Sequence, residues 1–437
     1  MNIRTTFILA FILLLMSGYY YFFEVKATQE KMTKEDIEKK ILDISQDKIN
    51  SFEYKNKKEN LDSELIQKGN DWYLEKPVSY KADNSNVTTV LDSLINAKYQ
   101  EKIENPQKLE DFGLKEPNFT LALKTKDGEK LIKVGDKSPT ETSLYIMKDK
   151  DPNIYLISGS SYYSLDKKLS DLRDKTIISF DKEKINSLKL KNANGDFVLK
   201  KQGSEWNLEA PQKFKADGSK VDELFTKLQN DKITDFVADK DDNLENYGLE
   251  KSPTIITLED TDKSEKKILI GTETGDSAYV KIGNLPNIFK VSKATIEPFK
   301  ADVLALRNKN ILTLDSSKVN KIEIESVELK LVAEKDKDKK WGFASKDSKV
   351  KITPEDVSAF VDKLANLNFI RVFPIDKFTL GDRIINIKLF LESQSEPVKF
   401  SFGGVTTDNK EQVYLLKPGD KEGYSVAKNI LEKIVSK

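Results

Sequence analysis

The chain has no cysteine and no histidine. Without cysteine there is no disulfide, thiol nucleophile, iron–sulfur cluster or cysteine zinc site. Without histidine the commonest general base, the usual catalytic triads and most transition-metal sites are lost as well. An excess of either charge is also missing, since 72 Lys+Arg balance 72 Asp+Glu. Nucleic-acid phosphates demand a basic surplus or stripe, so no nucleic-acid partner is expected. No Gly-rich phosphate loop follows a strand, and no Gly-x-Ser-x-Gly elbow or pair of catalytic carboxylates stands out. Carboxylates and lysines remain for chemistry, but the expectation is a non-enzymatic protein with no catalytic residue, cofactor or metal.

What is present is repetition. Ile49-Asn50-Ser51 returns as Ile185-Asn186-Ser187, Trp72 and Pro77 as Trp206 and Pro211, and Ala82-Asp83 as Ala216-Asp217. Phe112-Gly113-Leu114 becomes Tyr247-Gly248-Leu249, and Leu172-Arg173 becomes Leu306-Arg307. The step from Trp72 to Trp206 is 134 residues, and Trp341 lies 135 further on in a weaker third copy. A 437-residue chain is too long for one ordinary core, and three units of this size are domain-sized rather than solenoid repeats. The divisions expected are an anchor at 1–24, a charged and partly helical connector at 25–47, and repeats at 48–181, 182–315 and 316–437. The third is divergent and truncated.

Residues 5–23, TTFILAFILLLMSGYYYFF, carry no charge. As a helix the stretch would be about 28 Å long, close to the roughly 30 Å hydrocarbon thickness of a bilayer. Tyr19 to Phe23 put aromatic rings where a membrane–water interface favours them. A cleaved signal peptide competes with this reading. Bulky aromatics stand where a small-x-small exit belongs, and a lipoprotein signal would need a cysteine, so an uncleaved transmembrane helix is expected. The short tail with Arg4 places the N-terminus in the cytoplasm and the bulk of the chain outside, on a bacterial cell membrane. In the connector, Thr33 and Asp36 resemble a helix start, with Ile37, Ile41 and Leu42 as its apolar stripe.

Each repeat reads alike. Phe52 and Tyr54, Leu188 and Leu190, and Ile322 and Ile324 alternate with polar residues, as on a half-buried strand. Gly69-Asn70 and Gly203-Ser204 suit a tight hairpin turn, whereas the third copy has the charged run Lys335–Lys340. Trp72, Trp206 and Trp341 fall on the returning strand. An amphipathic helix follows, with stripes of Val87, Val90, Leu91, Leu94 and Ile95, then Val221, Leu224, Phe225 and Leu228, then Val357, Phe360, Val361 and Leu364. Asp83, Asp217 and Thr353 stand where an N-cap oxygen would be needed, and Pro354 suits the first helical turn. Further hairpins lead to a last one turning at Pro152-Asn153, Pro286-Asn287 and Glu422-Gly423. A closing helix ends at Arg173 or Arg307, and in the third copy spans about Ile430–Val435. The expected fold class is α+β: three antiparallel sheet modules with two helices each, preceded by one N-terminal transmembrane helix.

The landmarks Trp206, Ala210-Pro211, Ala216-Asp217, Tyr247-Gly248-Leu249, Pro253, Ile268–Gly271 and Tyr279 resemble the bacterial domain-of-unknown-function family 4340. The first copy matches it through Trp72, Pro77, Ala82-Asp83, Gly113-Leu114, Pro117, Val134-Gly135 and Tyr145. The third matches loosely, since Phe378-Thr379-Leu380 lacks the glycine and no arginine closes the copy. The resemblance implies an N-terminally anchored envelope protein, of a family often associated with ABC-type transport systems. It supplies no catalytic residues.

Each candidate site has a plainer account beside it. The tryptophans could line a ligand groove, or anchor each module's core. The Phe-Gly-Leu and Tyr-Gly-Leu turns could touch a partner, or serve only a left-handed backbone. Asp239, Asp241, Asn243 and Glu250 copy calcium-loop spacing, but Leu244 replaces the loop glycine, which favours a solvated acidic loop. Arg173 and Arg307 could bind an anion, or satisfy helix-end carbonyls and pair across a module junction. The functional expectation is an accessory or binding component of an envelope or ABC-transport assembly, with a lipid bilayer contacted through residues 5–23 and transporter subunits or other envelope proteins as partners. The alternatives are a solute- or glycan-binding receptor and a carboxylate-dependent hydrolase.

Overall fold

Alternation places Phe52, Tyr54 and Asn56 on one buried face of strand β1 (Ile49–Asn56), and a sheet grows outward from it on both sides. In this computed structural model, which describes residues 16, 17, 19–21, 37–283, 285–348, 351–377, 379–381, 383–392 and 394–433, three such sheets occur. The first comprises β1, β2 (Leu61–Lys68), β3 (Asp71–Lys76), β4 (Tyr80–Lys81), β5 (Glu101–Ile103), β6 (Phe119–Thr125), β7 (Gly128–Lys137), β8 (Ser143–Lys148) and β9 (Ile154–Ser158). Their order is β4-β3-β2-β1-β6-β7-β8-β9-β5, antiparallel throughout. Helix α1 (Asn84–Ile95) lays its stripe of Val87, Val90, Leu91 and Leu94, all fully buried, into the same core as Phe52, Leu65 and Leu121.

By contact density the chain forms two units. One holds residues up to 180 with 226–253 and 267–296, and the other holds 181–225, 254–266 and 297–437. The second module contributes to both. In the second unit lie β10 (Ile185–Asn192), β11 (Gly195–Gln202), β12 (Glu205–Ala210), β13 (Phe214–Lys215) and β15 (Thr254–Asp260), ordered β13-β12-β11-β10-β15. In the first unit β14 (Asp235–Ala238), β17 (Ser277–Ile282), β18 (Ile288–Ser292) and most of β16 (Glu265–Thr274) run in the order β16-β17-β18-β14. Helix α2 covers Gly218–Asn230. The third sheet lies in the second unit: β19 (Val319–Glu325), β20 (Leu329–Lys335), β21 (Trp341–Ser348), β22 (Arg371–Pro374), β23 (Ile385–Leu391), β24 (Val398–Val405), β25 (Gln412–Leu416) and β26 (Glu422–Ala427). Its order is β21-β20-β19-β23-β24-β25-β26-β22, with helix α3 (Pro354–Ala365) against it.

The α+β expectation is therefore corrected. Among the described residues strand accounts for 44% against 22% helix, so the modules are mostly antiparallel β. Each keeps one helix of three turns, and the expected second helix shrinks to fragments such as Ser161–Leu165 and Leu169–Leu172, or Lys293–Ile296 and Val303–Leu306. The reason is that Leu165, Leu172 and Leu306 act as separate pins into a core, not as one continuous stripe. In the third copy the described part of the closing segment is the 3-10 turn Lys428–Leu431, and residues 434–435 of the expected helix lie outside the described residues. Among the described residues no helix is long and apolar enough to cross a membrane. Apart from residues 16, 17 and 19–21, the stretch 5–23 lies outside them, as do Thr33 and Asp36.

The connector also differs from expectation. Ile41 and Leu42 do not lie on a helix; they follow a bridge between Lys40 and Lys98 and are buried in the first core. The same ladder recurs where Thr176 meets Lys232 and Asn310 meets Asn368. The amides of Tyr99, Ile233 and Phe369 donate to the carbonyls of Lys39, Lys175 and Lys309 at 2.9, 2.8 and 3.0 Å. Residues 39–42 are thus a third copy of the linker that enters every module.

Candidate functional site: the two arginine junctions

Most repeated landmarks are consumed by folding. Trp72 and Trp206 are buried, with Trp72 edge-on to Phe52 at 5.3 Å and Trp206 tilted against Phe225 at 5.5 Å. Trp341 is only half-buried, under the ammonium of Lys335 at 5.2 Å. The Asp83 carboxylate accepts the Asn86 amide at 2.9 Å, and Asp217 accepts those of Ser219 and Lys220 at 3.0 and 3.2 Å. Thr353 accepts the Asp356 amide at 3.3 Å while Asp356 reaches back to the Thr353 amide at 3.0 Å, a capping box.

The Gly113 and Gly248 turns take φ of 67° and 65°, which a side chain would strain. Each turn presses the carbonyl of Phe112 or Tyr247 onto a second glycine, Gly135 or Gly271, where a Cβ would collide with it. Phe112 then packs edge-on to Tyr145 at 4.9 Å, and Tyr247 to Tyr279 at 5.0 Å. In the third module the carbonyl of Leu380 meets Gly403 in the same way and Gly381 has φ of 73°. The third copy therefore keeps the turn glycine, one position beyond the Phe378-Thr379-Leu380 in which it was sought.

What remains are the arginines. Each closing segment extends at Arg173 or Arg307, which ladders with Ala82 or Ala216 of its own module before the linker enters the next. Both residues are buried, at 3% and 7% exposure, so their charge must be met within the protein. Arg173 Nη2 donates to Asp239 Oδ2 at 2.8 Å, and its guanidinium lies 5.6 Å from the Tyr80 ring and 4.8 Å from the Phe236 ring. Arg307 Nη1 donates to Glu422 Oε2 at 2.9 Å, with the Phe214 ring at 3.8 Å and the Phe369 ring at 4.8 Å. One ring comes from the preceding module and one ring and one carboxylate from the following module. Burial, with Asp174 adding to it, pushes the Tyr80 hydroxyl up to about 12, so it stays neutral beside the cation. Burial likewise raises the Tyr424 hydroxyl, which donates to Asp420 at 2.9 Å.

The partners on the receiving side are not repeated in sequence. Phe236 lies on β14, whereas Phe369 precedes β22 and matches Ile233 in the linker ladder. Asp239 follows β14, whereas Glu422 opens β26 opposite Pro374. Glu422-Gly423 is thus strand, not the hairpin turn expected there; the turn falls at 417–421, with Gly419 at φ of 91°. Sequence reasoning missed Glu422 for that reason, and missed Asn287, whose amide donates to Asp239 Oδ1 at 3.2 Å.

The calcium-like loop is accounted for at the same place. Asp239 serves Arg173, and Asp241 lies 3.6 Å from the ammonium of buried Lys281, which also donates to the carbonyls of Gly283 and Leu285 at 2.9 and 2.5 Å. Among the described residues no group of three or more acidic side chains could hold a metal ion. A second missed pair is Asn56 and Asn192, each buried at the end of its module's first strand. The Asn192 amide donates to the carbonyls of Phe299 and Ala301 at 2.8 and 2.9 Å, and that of Asn56 to Lys167 at 3.2 Å and Asp166 at 3.1 Å. Their matching offset from Ile49 and Ile185 was the available signal.

No curated protein matches the chain. Among solved structures, the DNA polymerase sliding clamp from Pseudomonas aeruginosa with ligand aligns at 7% identity over 90% of this chain and 95% of that one, with a TM-score of 0.15. A putative DNA polymerase III beta subunit from Eubacterium rectale aligns at 9% identity over the same shares, with a TM-score of 0.14. Scores this low support no argument about fold or activity. The family model described as "Domain of unknown function (DUF4340)" matches twice, over residues 72–210 and 206–380. Both matches begin at a returning-strand tryptophan and run through a closing arginine into the next module, so the matched unit includes a junction. The chain belongs to the DUF4340 family.

Proposed function

We propose that the protein is a non-catalytic, extracytoplasmic component of an envelope or ABC-transport assembly, tethered to a bacterial membrane through the uncharged stretch at residues 5–23. The observation that carries this reading is the use made of the repeat. Its caps, stripes, tryptophans, turn glycines and arginines all go into building modules and joining them. What recurs is a mechanical element, which suits a binding or spacing role.

Two experiments test it. Affinity purification from gently solubilised membranes should recover a transporter permease or ATPase; isolation of the chain alone would count against the assembly. Because the chain has no cysteine, a single Lys201→Cys substitution gives a clean topology probe. A membrane-impermeant thiol reagent should label it on intact cells, and protection until lysis would refute the extracytoplasmic location.

A further inference from the structure

The two clamps share a cation but differ in what holds it. At the first junction the carboxylate sits on the loop after β14, its side chain is 42% exposed, and the guanidinium stands 5.6 Å from its nearer-module ring, Tyr80. That loop is tied down twice by charge, Asp239 to Arg173 and Asp241 to Lys281, and Asp241 is 52% exposed. Asn243 in the same loop takes a left-handed φ of 60°. At the second junction the carboxylate of Glu422 is on a strand paired to β22, is 28% exposed, and the guanidinium is stacked on Phe214 at 3.8 Å.

An ion pair whose carboxylate reaches solvent is screened more than a closed one as the Debye length falls from about 8 Å at physiological salt to about 3 Å at 1 M. A cation stacked on a ring and pinned to a sheet is far less sensitive, because its contacts are short-ranged and dry. We infer that the junction between the first and second modules is a salt-sensitive joint, while that between the second and third is fixed. The Asp239–Asp241 loop is the part that lets go, since the carboxylates of both its ion pairs are partly in solvent and only the Asn287 amide holds Asp239 without charge. This holds whatever the protein binds, and so stands apart from the assembly proposed above.

The test is pulsed dipolar spectroscopy on the full chain with paired spin labels. Lys126→Cys with Asp276→Cys reports the first junction, and Ala193→Cys with Val327→Cys the second; all four positions are exposed. Raising salt from 0.1 M to 1 M should broaden the first distance distribution by roughly twofold and leave the second unchanged. Asp239→Asn, which keeps the shape and removes the charge, should broaden the first distribution already at low salt and leave the second as it was. Equal broadening at both junctions, broadening at the second alone, or no broadening at either would overturn the inference.

Discussion

The first two modules and the third hold their tryptophan differently. Trp72 and Trp206 are carried on six-residue strands, β3 and β12, each covered by a two-residue strand, β4 or β13. Trp341 is carried on the eight-residue edge strand β21 and stays half-buried. The hairpin before it turns through Asp336–Lys340, where Asp336 accepts the amides of Asp338 and Lys340 at 2.9 Å each, in place of a glycine turn. The third module makes up the lost aromatic bulk elsewhere. Phe400 and Phe402 on β24, packed edge-on at 5.8 Å and almost fully buried, take the places of Ile132 and Val134 on β7. A module therefore needs a fixed volume of core, not a tryptophan at a fixed place.

Breaking this comparison is simplest at the rings. Trp72→Ala should cost about 3–5 kcal/mol, and so should Phe402→Ala in the third module, because each opens a cavity in a closed core. Trp341→Ala should cost less than about 1 kcal/mol, since its ring is already partly wet. Urea unfolding of the full chain, followed by circular dichroism, reads all three. A Trp341 loss as large as that of Trp72 would mean that the edge strand is covered and that the modules are alike after all.

The next largest effect should show no difference between modules. Gly135→Ala, Gly271→Ala and Gly403→Ala each drive a Cβ into the carbonyl of Phe112, Tyr247 or Leu380. Each should destabilise its module by about 1–3 kcal/mol, measured in the same unfolding experiment. Tolerance of Gly403→Ala alone would show that the third copy has relaxed this approach as well as the tryptophan.

These contrasts also show what could be read from sequence. The helix stripes, their caps and the first strands were visible because local periodicity and capping chemistry do not depend on tertiary context. The balance of strand over helix was not. Edge strands such as β14, with the pattern Asp235-Phe236-Val237-Ala238, are short, and none of their residues is fully buried, so they carry little periodic signal. The closing segment was expected to be one helix, yet Leu165 and Leu172 pin two separate short turns, Ser161–Leu165 and Leu169–Leu172. At the candidate site the arginines were conspicuous and their partners were not. Arg173 and Arg307 repeat in register, whereas Phe236 and Phe369, or Asp239 and Glu422, do not, because a clamp needs only a ring and a carboxylate within reach and the chain supplies them from different strands.

The smallest effects should come from the helix caps, and here the third module differs in kind. Asp83→Ala and Asp217→Ala each leave backbone amides of α1 or α2 unmet and should cost about 1 kcal/mol. Thr353→Ala should cost about as much, but α3 also depends on Asp356, whose carboxylate accepts the Thr353 amide at 3.0 Å. That backbone donor holds the Asp356 carboxyl below its ordinary value. A lowered folded-state pKa contributes stability above the unfolded value of about 4 and loses it as pH falls through the folded value. Acid titration of the third module's unfolding should therefore show a decline that Asp356→Asn removes. If the decline survives in Asp356→Asn, the box is not what acid breaks, and the third helix is held by its buried stripe alone, as its tryptophan strand is held by the sheet.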